Sequence, residues 1–236
     1  MSVTNLLNEL RDLEFPVDQL QIEILNCKLS ECPLEFTLSA RESFDENTSI
    51  AATLYYQWKR ALNEYCFSRY VASLSDLSNP ENNRKQTFYL TKGHPRLTLR
   101  EANNLLQGRF LNKTLIPVNG STPYNAWLHL DFYDLDSRGD YKFIYYASRF
   151  PYDLEYALRF YPIRGLDHPP YTMQLIQRLK RGDQVRVTFV KPSRLQRVYI
   201  AANPCTKLIN LNFKPSKTSP KDENEQQQAP SSQERG

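Results

Sequence analysis

The run Arg96–Leu111, RLTLREANNLLQGRFL, constrains the fold more than any other stretch of the chain. Thr98 and Glu101 stand at capping-box spacing: the Thr98 hydroxyl can accept from the Glu101 backbone N–H, and the Glu101 carboxylate from that of Thr98. Leu99, Ala102, Leu105 and Leu106 follow at helical spacing, and Gly108 stands where a left-handed residue ends a helix. A helix of about two and a half turns is expected here. Period-two segments stand on both sides of it, so the chain has to combine strands with helices.

Upstream, Leu6, Leu7, Leu10 and Leu13 form one helical stripe, which "FPV" interrupts. A second short helix follows, with Leu20, Ile24 and Leu25 expected inward, so residues 1–32 read as a helical hairpin with an acidic outer face. After Pro33 the period drops to two: "LEFTLSA", "TSIAATLYYQW", "EYCFSRYVASL" and "KQTFYL" read as four strands of an antiparallel meander. Downstream, "YNAWLHLDFYD" alternates cleanly and pairs across "DLDSRGD" with "YKFIYYASRF" as a hairpin. "YDLEYALRFY", with Asp153 as N-cap, and "PYTMQLIQRLKRG", ending at Gly182, read as helices. "QVRVTFV", "RVYIAAN" and "KLINLNF" read as closing strands. The expected class is α+β: helical hairpin, antiparallel meander, joining helix, β-hairpin, two helices and closing antiparallel strands. The division expected is 1–95, 96–213 and a tail 214–236. With no aliphatic or aromatic residue except one Ala, that tail cannot offset its ordering entropy and reads as disordered.

The chain has 236 residues, with only 7 Gly, so a Gly-rich phosphate loop has little to draw on. The opening "MSVTNLLNELRDLEF" carries Glu9, Asp12 and Glu14 where a secretory signal needs a basic start and an unbroken apolar run, so the setting reads as cytosolic. Cys27, Cys32, Cys66 and Cys205 then read as thiols, and no second Cys/His pair completes a zinc pattern around Cys27 and Cys32. No metal or cofactor is expected.

His129 and Asp131 share a strand face as an acid/base pair would, but no nucleophile accompanies them, and a solvated face explains them better. Asp134, Asp136 and Asp140 lack calcium-loop spacing, because Arg138 stands where a ligand is needed. No catalytic residues are therefore assigned.

Charge is distributed unevenly. Residues 1–50 hold 3 basic and 10 acidic groups, while residues 159–213 hold 10 basic and 2 acidic. Arg178, Lys180, Arg181, Arg186, Arg194 and Arg197, interleaved with Tyr171 and Tyr199, can track a phosphate backbone. A second reading has acidic and basic regions compensating each other within the fold. Arg109, just past the glycine stop, is the candidate for contact with a partner, or for bonding the last helix carbonyls.

"YLTKGHPRLTLREANNLLQGRFLNKTL", "YNAWLHLDF", "YDLEYAL" and "YIAANPCTKLINL", in this order, resemble a family of uncharacterised Bacteroidetes proteins often encoded near conjugative or other mobile elements. The resemblance runs from about Val3 to Phe213. His129 departs from it where a Gln is common, and Phe150-Pro151 where a glycine is usual. It implies a bacterial cytosolic setting and a link to DNA mobility, and it carries over no site residues. The function expected is a non-enzymatic module binding nucleic acid or a nucleoprotein. The alternatives are a protein–protein adaptor, docking through the acidic hairpin or a strand edge, and an enzyme of unrecognised type.

Overall fold

The computed structural model describes residues 3–119, 122–147, 151–192 and 194–212. The tail 214–236 and Phe150 lie outside the described residues, as does part of the turn after Asn119. Among the described residues the fold is α+β, with five α-helices and three antiparallel sheets.

Helices α1 (Val3–Asp12) and α2 (Gln19–Glu31) precede a four-stranded meander of β1 (Glu35–Glu42), β2 (Thr48–Lys59), β3 (Glu64–Asp76) and β4 (Arg84–Tyr89). Strict alternation gives this sheet two unlike faces. Phe36, Leu38, Ile50, Leu54, Phe67 and Phe88 are buried on the inner face, against the α1 leucines, Phe15 and Leu25. Aromatic rings hold that layer together: Phe36 stacks on Tyr56 at 4.8 Å and Tyr56 on Phe67 at 4.9 Å, while Phe15 meets Tyr70 edge-on at 5.1 Å. Such pairs add about 1 kcal/mol each beyond burial. In α2 the inward stripe is Ile22, Leu25 and Leu29. Ile24, expected inward, is exposed, because it sits about a quarter turn from Leu25 and the sheet covers only a narrow face of the helix. The side chain of Leu20 lies outside the described residues.

Helix α3 (Leu99–Leu106) crosses beneath the same sheet. Its capping box forms as the spacing requires: Thr98 Oγ1 accepts from Glu101 N at 3.2 Å, and Glu101 Oε2 accepts from Thr98 N at 2.8 Å. Tyr70 reaches the same entry from the sheet, its buried hydroxyl donating to Leu97 O at 2.9 Å. Gly108, at φ +74°, ends the helix.

A second sheet, β5 (Leu111–Leu115), β6 (Tyr124–Leu135) and β7 (Tyr141–Tyr146), stands between two apolar clusters. Ala126, Leu128 and Leu130 face the first cluster, which thereby takes residues from both sides of position 95. Trp127 belongs to the second cluster, with α4 (Leu154–Leu158), α5 (Pro169–Lys180) and the third sheet, β8 (Val185–Lys191), β9 (Arg194–Asn203) and β10 (Leu208–Asn212). The Trp127 face of β6 was expected to be solvated; α4, α5 and the third sheet cover its Trp127 end, while Tyr133 at the other end is exposed. Trp127 is buried and His129 half-buried. No helix among the described residues is long and apolar enough to cross a membrane.

Candidate nucleic-acid interface

The polar residues of the α3 region turn inward. Asn103 and Asn104 are buried, and Asn104 ties α3 to the end of α5: its Nδ2 donates to Arg181 O at 2.9 Å and to Asp183 Oδ1 at 3.1 Å. Arg109 Nη2 donates to Asn104 Oδ1 at 2.5 Å, and Nη1 to Gln107 Oε1 at 2.6 Å. Gln107 in turn donates to Thr48 Oγ1 on β2. Burial pulls the Arg109 guanidinium down to about 10, against the opposing carboxylates of Asp183 and Asp45. Arg109 therefore grips side-chain oxygens within the fold. Arg84 Nη1, not Arg109, reaches the last carbonyls of α3, donating to Leu106 O at 3.1 Å. Burial also drives the Asp183 carboxyl upward, but its bonds to Arg181 and Asn104 outweigh that and leave it lowered. Beside it, Glu101 accepts from Lys113 Nζ at 2.6 Å. Two buried atoms of this hub, Asn103 Nδ2 and Arg109 Nε, have no hydrogen-bond partner among the described residues.

The six basic residues proposed from sequence separate into four environments. Arg181 Nη2 binds Asp183 Oδ2 at 2.6 Å, and Arg178 Nε approaches the same oxygen at 3.7 Å. Lys180 lines a groove between α4 and α5. Arg186 and Arg197 lie on the outward face of the third sheet: Arg186 is opposite Tyr199 and Arg197 opposite Thr188, which makes the two arginines diagonal neighbours, roughly 7–8 Å apart between backbones. Arg194 stands at the β8–β9 hairpin end, directly opposite Lys191. Like charges placed opposite each other across a ladder are destabilising. From Gln184 to Asn212 the chain carries five cations and no carboxylate, so this sheet offers no acid of its own to neutralise them.

The acidic N-terminal segment does compensate basic residues elsewhere. Glu9 meets Arg96 at 3.1 Å, and Glu14 lies 3.8 Å from Arg100 and 3.9 Å from Arg181. Neutralisation thus reaches the α3 entry and the end of α5. The ion pairs formed by Glu9 and Glu14 do not involve the β8–β9 cations.

His129 stacks on Phe110 at 4.4 Å, and burial holds its imidazole below the usual range, against a hydrogen bond to the Gly108 backbone and the charge of Asp131. Asp131 Oδ1 accepts from Tyr133 N at 3.0 Å, and Asp136 Oδ1 accepts from Arg138 N and Asp140 N, which makes the Asp134–Asp140 segment a turn. Among the described residues no group of three or more His, Cys, Asp or Glu side chains is placed to hold a metal ion. The groove between α4 and α5 encloses about 800 Å³, with Leu158, Leu166 and Ile176 on its apolar side and Glu155, Asp167 and Lys180 among its charged groups. No local sequence signal marks it, because it is assembled from two helices and the loop between them. Compared with family models, curated proteins and solved structures, the chain matches none.

Proposed function

We propose that the protein is a non-enzymatic nucleic-acid-binding module that meets the phosphate backbone through its third sheet, with Arg186 and Arg197 on the outward face and Lys191 and Arg194 at the hairpin end. One observation carries this reading: residues Gln184–Asn212 hold five cations and no carboxylate, and two of the cations oppose each other across the ladder. That arrangement costs folding energy and gains from a bound polyanion. The bacterial setting and the link to mobile DNA belong to this proposal through the family resemblance alone.

The test is binding of a short mixed-sequence duplex, followed by fluorescence anisotropy at low and at raised ionic strength. Wild-type binding weakens steeply with salt, with a slope set by the number of phosphates neutralised. Arg186→Glu with Arg197→Glu abolishes it, while Arg178→Glu, whose partner is Asp183, weakens it less. Absence of binding at low salt removes the proposal.

A second reading, a protein–protein adaptor, is favoured by the α4–α5 groove, around which Tyr156, Phe160 and Met173 are exposed. In that reading the N-terminal helical hairpin is a further docking surface. Partners that survive nuclease treatment and disappear on Met173→Glu favour the adaptor.

A further inference from the structure

The outward face of the first sheet is a second built surface that the reading above does not use. The strand registers lay it out in rows. Arg41, Ala51, Ser73 and Lys85 are successive cross-strand partners, so one row runs from β1 to β4 with a cation at each end. Three strand spacings separate those ends, about 14 Å. The next row, about 7 Å along the strands, is Ser39, Thr53, Val71 and Thr87. The third is Thr37, Tyr55, Arg69 and Tyr89. Small side chains in the first two rows leave a depression of about 410 Å³, walled by Arg41, Tyr55 and Lys85.

Three features of this face point to one ligand. Arg41 and Lys85 flank a floor rich in hydroxyls, and Arg, Lys, Ser and Thr are the side chains that contact phosphate oxygens. The three rows contain no carboxylate. Glu35 lies one step beyond Thr37, and Asp140, at the β4 edge, is held by Thr87 N at 2.7 Å. The third row is a stacking platform: the Arg69 guanidinium lies over the Tyr55 ring at 4.3 Å, and the Tyr89 ring follows, with the Arg138 guanidinium 5.2 Å from its centroid and the His94 ring beside it. Unstacked bases lie on aromatic rings and on guanidinium planes. A phosphate rail and a base platform side by side suit a strand whose bases are exposed. A duplex, whose bases face each other, uses only the rail.

We infer that the outward face of the first sheet binds single-stranded nucleic acid, with the backbone along Arg41–Lys85 and the bases leaning over Thr53 and Val71 onto Tyr55–Arg69 and Tyr89. This site stands whether or not the third sheet binds duplex.

The experiment uses the full chain with a fluorescent oligothymidylate strand and with the same strand annealed to oligoadenylate. The expected result is salt-sensitive binding of the single strand that Arg41→Glu with Lys85→Glu weakens roughly tenfold or more. Tyr89→Ala weakens it about fivefold or more. Arg41→Lys with Lys85→Arg keeps it, which separates lost contact from lost folding, and Arg186→Glu with Arg197→Glu leaves it in place. Three outcomes would overturn the inference: no single-strand binding at low salt, single-strand binding unchanged in Arg41→Glu with Lys85→Glu, or polyglutamate competing as well as the oligonucleotide. The last would assign the face to an acidic protein instead.

Discussion

Two arginine-bearing regions of this protein use charge in opposite ways. Around α3, Arg109 is drawn into the fold and Arg181 lies half-buried beside it, and their guanidinium groups meet Asn104, Gln107 and Asp183 at 2.5–2.6 Å. On the third sheet, Arg186 and Arg197 face outward, and Arg194 sits opposite Lys191. The first arrangement exchanges hydration for geometry, because each bond fixes one element against another. The second places two like charges, Lys191 and Arg194, opposite each other on strands that carry no carboxylate. Charges that hold this fold together are paired inside it, and the outward ones are those proposed to meet a phosphate backbone.

Removing the centre of the hub breaks this contrast most strongly. Asp183→Ala deprives Asn104 and Arg181 of a shared acceptor, with an expected loss of about 3 kcal/mol in a denaturant melt. The carboxyl is held below its unfolded value, so its contribution is full above the ordinary Asp range and fades as pH falls through the folded value. The variant lacks that part of the acid slope. Unchanged stability in Asp183→Ala would show that the hub is incidental to the fold.

Arg109→Ala comes next. It leaves Asn104 Oδ1 and Gln107 Oε1 without their donor but also removes a buried charge and its orphaned Nε, so about 2 kcal/mol is expected. This variant decides between the two roles of Arg109. Lower stability with binding intact in the remaining folded protein assigns it to the scaffold, and lost binding at full stability assigns it to a partner. A third variant tests the seam between α5 and β5. Gly182 has φ +85°, and an added Cβ would stand 3.0 Å from Phe110 O and 3.2 Å from Asn104 Cβ. Gly182→Ala therefore costs about 2 kcal/mol, strain and crowding together. Gly139→Ala, at φ +83° with nothing within 4 Å, costs about 1 kcal/mol.

Much of this architecture was legible in the chain, for reasons that are local. The Thr98–Glu101 box and the alternation of β1 and β2 are written within a few residues, and the structure realises them. What was not legible depends on partners far away. Asn103, Asn104 and Gln107 look like the polar side of an amphipathic helix, yet they are covered because α5 ends against Asn104 and β2 brings Thr48 to Gln107. The Arg178–Arg197 series reads as one basic run along the chain. In space, Asp183 takes two of its members, the α4–α5 groove takes one, and strand alternation divides the others between sheet face and hairpin end. The basic rows of the first sheet draw one residue from each of several strands, so no sequence window contains them.

The smallest expected effect is also the one whose sign says most about the outward charges. Lys191 opposes Arg194 at the β8–β9 hairpin end. Lys191→Glu converts a like-charge pair into an opposite-charge pair, so with no ligand present the variant gains about 0.5 kcal/mol of stability. Added salt shrinks that gain, because both groups are exposed. The same substitution places a carboxylate where a phosphate is proposed to lie, so duplex binding weakens as stability rises. A cation kept for the ladder gives the other sign: its loss lowers stability and leaves binding alone. Melts at low and raised salt, set beside anisotropy titrations of the same protein, separate the two, and destabilisation by Lys191→Glu would place the hairpin end with the hub rather than opposite to it.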